Sequence, residues 1–193
     1  MRPAAHAALA IASAVTLSGA GLVASRGVPD WEMRQTRWLC GRSNRSRAAL
    51  WPVMQIGSLP APILTGTLLY RHCDDRRPAA ISAGAGVMAW VGAKAVKRVV
   101  RRGRPAAYDD QVIPGENTRD SDGFVSGHAA VAASLAVSSS AFAPGPVVVL
   151  LSGAAVLAGL ARVELGVHLP LDVVGGWALG VLCGQCSLMW SAQ

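Results

Sequence analysis

Apolar residues run along the chain in six long stretches, near 4–25, 48–70, 78–96, 127–143, 146–161 and 171–190, with polar residues collected between them. Each stretch is long enough, or nearly so, to cross a hydrocarbon core of about 30 Å. The pattern predicts an all-α fold, a polytopic membrane helix bundle of about six transmembrane helices, occupying residues 1–193 as a single integral-membrane domain. The fourth and fifth stretches are short, and Ala143-Pro-Gly-Pro146 between them reads as a tight turn joining two helices. Trp51, Tyr70 and Trp190 fall at the ends of stretches, where a membrane interface favours aromatic rings. Trp90 and Trp177 lie inside and read as packing residues. The first stretch follows Arg2 and is rich in Ala, Ser and Gly, as a signal peptide is, but its apolar run is long for one; a retained helix is expected.

Composition then narrows the class. The chain has 193 residues, 52% of them hydrophobic and 15% charged, which suits one membrane-embedded domain and leaves little room for a soluble one. The net charge of +7 comes almost wholly from arginine. If the chain crosses six times, all of the 18 basic residues except Arg2, Arg71, Arg76 and Arg77 fall on one side. Such placement argues against nucleic acid as a partner and for anionic head groups or a phosphorylated substrate at the membrane surface. Gly176, Gly180 and Gly184 recur at helix-packing spacing, equally suited to contacts within the chain or to a homodimer. Cys183 and Cys186 lie inside an apolar stretch with no second ligand pair, and Cys40 and Cys73 lie in connections that should face opposite sides. Neither pair suggests a metal site or a disulfide.

Ionisable residues at the edge of a span are costly and are therefore candidates for function. Three clusters share one expected side. In Lys97-Arg-Val-Val-Arg-Arg-Gly-Arg-Pro105, Lys97 and Arg104 are seven residues apart, two turns along one helical face, so both cations could converge on one anion. Arg101 and Arg102 read as interfacial anchors. In Gly123-Phe-Val-Ser-Gly-His128, Ser126 is a good N-cap, Gly127 allows a ligand close to the backbone, and His128 would stand in the first turn of a helix beside a bound anion. In Ala161-Arg-Val-Glu-Leu-Gly-Val-His-Leu-Pro-Leu-Asp172, His168 and Asp172 are four residues apart, and Pro170 suits the first turn of a helix. A carboxylate on one imidazole nitrogen leaves the other free to attack, and Arg162 adds a fork-shaped oxyanion donor. These are the parts that phosphoryl transfer needs.

Lys97, six residues, Arg104-Pro105; Ser126-Gly127-His128; and Arg162, five residues, His168, three residues, Asp172 together resemble the three-part signature of the type 2 phosphatidic acid phosphatase superfamily. The resemblance implies a metal-independent lipid phosphatase without a cofactor. His168 would attack phosphorus with Asp172 behind its ring, and His128 would protonate the leaving oxygen and later activate water. Lys97, Arg104, Ser126, Gly127 and Arg162 would hold the phosphoryl oxygens. The usual Pro before Ser-Gly-His is Val125, and the usual Ser before the third-motif Arg is Ala161. Asp109, Asp110, Glu116, Asp120 and Asp122 crowd the loop between the first two motifs and read mainly as a solvated segment balancing the arginines. The substrate expected by analogy is a polyprenyl phosphate or diphosphate of envelope synthesis, with phosphatidylglycerophosphate, phosphatidate and prenyl-linked sugar phosphates as alternatives. A non-catalytic anionic-lipid-binding protein and a transporter are the readings from other classes. The positive-inside rule would place the site in the cytoplasm, whereas bacterial members that recycle polyprenyl carriers work on the outer face of the plasma membrane, and the outer face is the expectation taken here.

Overall fold

The structure, a computed structural model, describes residues 3–40, 44–114 and 122–191. Arg2, Arg42, Glu116 and Asp120 lie outside the described residues. The helices are α1 (Pro3–Ser25), α2 (Asp30–Leu39), α3 (Asn44–Gln55), α4 (Pro60–His72), α5 (Arg77–Val100), α6 (Gly127–Ser139), α7 (Gly145–Glu164) and α8 (Pro170–Ser191). A short 3₁₀ turn at Pro105–Ala107 follows α5. The fold is an all-α bundle and the protein is a multi-pass membrane protein. Four segments, Ala4–Ser25, Arg77–Ala107, Gly145–Glu164 and Pro170–Ser191, are long and apolar enough to cross a bilayer. Large apolar side chains such as Ile11, Val15, Ile63, Val91, Val149 and Leu150 face outward, as a lipid-bathed surface requires.

The two remaining apolar stretches differ from a simple span. Residues 48–70 form two helices, because the backbone turns through Ile56–Leu59 and Pro60 then opens α4. Residues 127–143 give a helix of only 13 residues, ending at Ser139 before the Pro144-Gly-Pro146 breaker. At 1.5 Å per residue it is about 20 Å long, short for a bilayer core. It is nevertheless the central element: Ala129–Ala136 are all buried, with α5, α7 and α8 around them. A helix enclosed by protein has no lipid face whose length must match the bilayer.

Small residues make that enclosure possible. Gly176, Gly180 and Gly184 on α8 lie against α6 of the same chain; a Cβ at Gly176 would stand 2.5 Å from the Ser126 carbonyl oxygen, and one at Gly184 2.8 Å from Val137 Cβ. Close backbone approach of this kind replaces a hydrophobic driving force, which helices in lipid lack. Polar cross-links add to it. His6 Nδ1 meets Gln185 Oε1 at 2.5 Å between α1 and α8, and Trp177 Nε1 donates to the Ala155 carbonyl at 3.0 Å between α8 and α7. Helix α1 also supplies Ala20 and Ala24 to the cluster that holds Phe124 and Val125. Trp51, Tyr70 and Trp190 are exposed, as residues at an interface would be.

Candidate active site

The C-terminal end of α5, the start of α6, the end of α7 and the start of α8 meet at one end of the bundle, and each is shaped by its local sequence. Helix α5 stops at Val100 because Arg101 adopts the left-handed conformation (φ 47°, ψ 42°), its N–H closing on the Lys97 carbonyl. Pro105 then disfavours helical geometry at Arg104, which is extended. Lys97 and Arg104 therefore share a site because the chain folds back, and the expected two-turn helical face does not exist. Lys97 Nζ donates to the carbonyls of Asp122 and Gly123 at 2.8 and 2.9 Å, and Arg104 Nη1 donates to the Val167 carbonyl at 2.8 Å. Each cation thus also pins a neighbouring loop.

Ser126 is the N-cap of α6, its hydroxyl accepting from Ala129 N at 3.5 Å while its own N–H donates to the Asp172 carbonyl at 2.8 Å. His128 stands in the first turn. The Ile56–Leu59 turn lies directly on its backbone, since a Cβ at Gly57 would come within 2.7 Å of the His128 carbonyl carbon. At the end of α7, Gly166 takes φ +65°, and the N–H groups of Val167 and His168 both return to the Arg162 carbonyl at 3.1 Å. That reversal sets His168 beside Arg162. A Cβ at Gly166 would be strained and would stand 2.8 Å from Val112 Cγ1. Gly166→Ala is accordingly expected to cost about 1 kcal/mol or more, read as a lower melting temperature in detergent, together with slower turnover from a displaced His168.

Pro170 opens α8 and Asp172 lies in its first turn. Asp172 Oδ2 accepts from Leu169 N at 2.9 Å and faces His168 Nδ1 at 3.4 Å, a long contact for a hydrogen bond. Its Oδ1 accepts from Arg102 Nη1 at 3.0 Å. Burial, and after it the positive charges of Lys97, Arg162, Arg104 and His128, hold His168 well below the ordinary imidazole range. A neutral ring with one nitrogen toward a carboxylate leaves the other nitrogen as a free lone pair.

A cavity of about 440 Å³ is lined by Lys97, Arg104, Gly127, His128, Arg162 and His168, and extends over Gly57, Ser58, Leu59, Trp90, Ala93 and Lys94. The three sequence clusters converge on it. Ser126 and Asp172 are fully buried and sit behind the wall that the others form. Trp90, expected only to pack, does pack near Val131 but also lines the cavity, with Lys94 Nζ 3.6 Å above its ring. Val125 is fully buried among Ala20, Phe124 and Leu179, and Ala161 packs with Met54 and Leu165. Both departures from the family pattern thus serve apolar packing behind the site. Asp109 pairs with Arg37 at 2.6 Å, and that hydrogen bond holds its carboxyl below the usual range.

The residues that the sequence did not single out are Glu32 and Arg102. Arg102 lies in a run of arginines that reads as an anchor, and only the left-handed turn at Arg101 brings it inside. There it pairs with Glu32 of α2 as well as with Asp172, all three side chains being almost completely inaccessible. Glu32 and Thr36 are four residues apart, one turn along a single face of α2, and both are buried. That spacing was the available signal.

A sequence model of the PAP2 superfamily matches residues 79–193. The chain belongs to the PAP2 superfamily. Its match spans more than half of the chain and includes all three clusters. This PAP2 member is 38% identical over 104 residues to the decaprenylphosphoryl-5-phosphoribose phosphatase of Mycolicibacterium smegmatis, a match covering 52% of this chain and 54% of that one. The chain thus matches about half the length of that curated relative. Among solved structures, the first transmembrane PAP2 type phosphatidylglycerolphosphate phosphatase from Bacillus subtilis superposes with a TM-score of 0.76 at 20% identity, covering 92% of this chain and 95% of that one. Aquifex aeolicus LpxE superposes with a TM-score of 0.74 at 23% identity, covering 84% and 98%. At these identities the two structures establish the PAP2 fold.

Proposed function

We propose that this protein is a membrane-embedded phosphatase that hydrolyses a lipid-linked phosphate or diphosphate, of the polyprenyl type, through a phosphohistidine on His168. The observation that carries the reading is the placement of His168, its Nδ1 turned to Asp172, at a cavity that it shares with His128 and the basic side chains Lys97, Arg104 and Arg162. Lys97, Arg104 and Arg162 offset the charge of the phosphoryl oxygens, with Gly127 letting the phosphate approach the start of α6 and Ser126 capping that helix behind it. The His168 Nε2 lone pair forms a bond to phosphorus as the bond to the leaving oxygen breaks, and His128 gives that oxygen its proton. Water then attacks phosphorus, the P–N bond breaks, His128 takes the proton from the water, and phosphate leaves.

A lipid is favoured because the cavity runs on toward Leu59 and Trp90, the latter within a segment long and apolar enough to cross a bilayer, and these apolar residues suit the beginning of a tail. The partial match to a decaprenylphosphoryl-ribose phosphatase supports a polyprenyl tail. The α3–α4 pair, and α6 with its flanks, would complete six crossings of a single domain, with the site on the outer face of the plasma membrane. Reporter fusions after residues 76 and 115 test that sidedness, and opposite signals with residue 115 outside are expected. Every group invoked comes from one chain, and the glycine stripe that could serve a homodimer is already covered by α6.

The deciding experiment assays phosphate release by the purified protein from a panel of lipid phosphates in EDTA. Release from polyprenyl phosphates or diphosphates, ahead of phosphatidate and phosphatidylglycerophosphate, is expected; equal rates on every lipid would sink the polyprenyl assignment. Lys94 lies one helical turn from Lys97, on the same face of α5 and toward its middle. A second anionic group between the scissile phosphate and the tail would therefore lie nearest to Lys94. Lys94→Met is expected to lower kcat/KM for a polyprenyl diphosphate by about tenfold, the value of one charged contact, and to spare the monophosphate of the same tail.

A further inference from the structure

We propose that Glu32 and Arg102 are a buried positioning pair that sets how much negative charge Asp172 presents to His168. Glu32 acts as the counterweight that keeps Arg102 from neutralising Asp172. The inference rests on His168 being the nucleophile and adds two residues that touch neither the cavity nor the phosphate.

The geometry is specific. Arg102 Nη1 donates to Asp172 Oδ1 at 3.0 Å and to Glu32 Oε1 at 3.2 Å, while Nη2 donates to Glu32 Oε2 and, at 3.2 Å, to the Gly27 carbonyl. Glu32 Oε1 also accepts from Leu171 N at 2.8 Å, at the start of the helix that carries Asp172. One guanidinium thus lies between two carboxylates, with its fork turned mainly to Glu32. All three groups are shut off from water.

Charge accounting gives the arrangement a purpose. Arg102 with Asp172 alone would be neutral, and its fork would be free to take both oxygens of Asp172, drawing the carboxylate from a His168 nitrogen already 3.4 Å away. Asp172 with Glu32 alone would leave two buried carboxylates with no cation between them. The trio carries one net negative charge. His168 acquires one positive charge when Nε2 bonds to phosphorus, so the trio matches the charge that develops in the ring. The cavity side cannot supply this, because Lys97 of α5, Arg104 of the following loop, His128 of α6 and Arg162 of α7 are the other titratable or charged groups that face His168, and their positive charges oppose its charging.

The test is the acidic limb of the kcat/KM pH profile, measured with one lipid phosphate in one detergent for wild type, Glu32→Gln and Arg102→Met. Loss of the Glu32 charge makes His168 harder to protonate, so the limb should move to lower pH. Loss of the Arg102 charge makes it easier to protonate, so the limb should move to higher pH. Shifts of about half to one pH unit in opposite directions are expected, the size usual for a neighbouring charge. With them kcat should fall about tenfold or more while KM stays within about twofold, and Glu32→Asp should recover part of the loss. Limbs that stay in place, or that move in the same direction, would overturn the proposal, as would a rise in KM that accounts for the whole loss. If Arg102→Met yields no folded protein, the isosteric Glu32→Gln decides alone: a limb displaced to lower pH supports the pair, and any other result removes it. Failure of the phosphatase reading is distinct, since it would appear as a wild type that releases no phosphate.

Discussion

His168→Ala is expected to lower phosphate release by about ten-thousand-fold or more, the scale seen when a covalent nucleophile is deleted. The protein should remain folded, because His168 lies in the connection between α7 and α8 and its side chain lines the cavity, where alanine only enlarges an existing space. His128→Ala should behave differently. It removes a proton donor and a base, each worth about a hundred- to ten-thousand-fold, but leaves the nucleophile in place. With a substrate whose leaving oxygen needs no proton, such as a lipid nitrophenyl phosphate, the His128 variant should still phosphorylate His168 and then stall. An acid-labile phosphoenzyme should therefore accumulate in His128→Ala and be absent from His168→Ala. The same amount of phosphoenzyme in both variants would remove His168 as the nucleophile. The environment of His168 also fixes a sign for pH dependence. Its burial and cationic neighbours depress its proton affinity, so it stays unprotonated below the ordinary imidazole value of about 6.5. The acidic limb of kcat/KM should accordingly lie below that pH.

Gly180→Val is expected to destabilise the bundle by about 3 kcal/mol or more, the upper end of the overpacking range. A Cβ at Gly180 would collide with the Ala130 carbonyl oxygen and stand 2.8 Å from Ala133 Cβ and 2.9 Å from Ser134 N. Two of these three atoms are backbone and cannot swing aside, so α6 and α8 would have to separate. Since α6 begins at His128's own turn and α8 at Asp172's, the separation should also abolish activity. Gly153→Ala is the matched control: it faces open space on α7, and a helical Gly→Ala change there should be neutral or stabilising by up to about 1 kcal/mol. Thermal unfolding in mild detergent, with the oligomeric state followed on the same samples, reads both. A Gly180→Val protein that stays folded but loses self-association would instead place the glycine stripe at an interface between copies.

Much of this architecture is written in local sequence. Hydropathy places α1, α5, α7 and α8 to within a few residues because long apolar runs have few alternatives in a membrane. The three clusters are legible because each carries its own local device: a proline after Arg104, a capping serine before Gly127, a glycine and a proline around His168. What is not legible depends on contacts between distant segments. The break at Ile56–Leu59 answers to the His128 backbone pressed against Gly57, a pairing no local pattern announces. Arg102 looks like its neighbour Arg101 until the helix ends in a left-handed residue, and the two then point to different worlds, one exposed and one buried. Glu32 is hidden for a related reason, since a carboxylate in a short helix of charged residues reads as surface until its cation is known.

The cavity wall has two origins, and their separation bears on how this scaffold could change. The reacting groups all sit on segments that brace one another, with Ser126 N–H on the Asp172 carbonyl, Arg104 on the Val167 carbonyl and Lys97 on the carbonyls of Asp122 and Gly123. The opposite wall, Leu59 with Trp90 and Lys94, stands outside that lattice of bonds. Substitutions there could alter which molecule enters while leaving the geometry of bond making untouched. A set of enzymes differing in diet but not in chemistry could thus arise, or be engineered, by varying a handful of positions in the turn before α4 and on α5, with the reacting frame inherited whole.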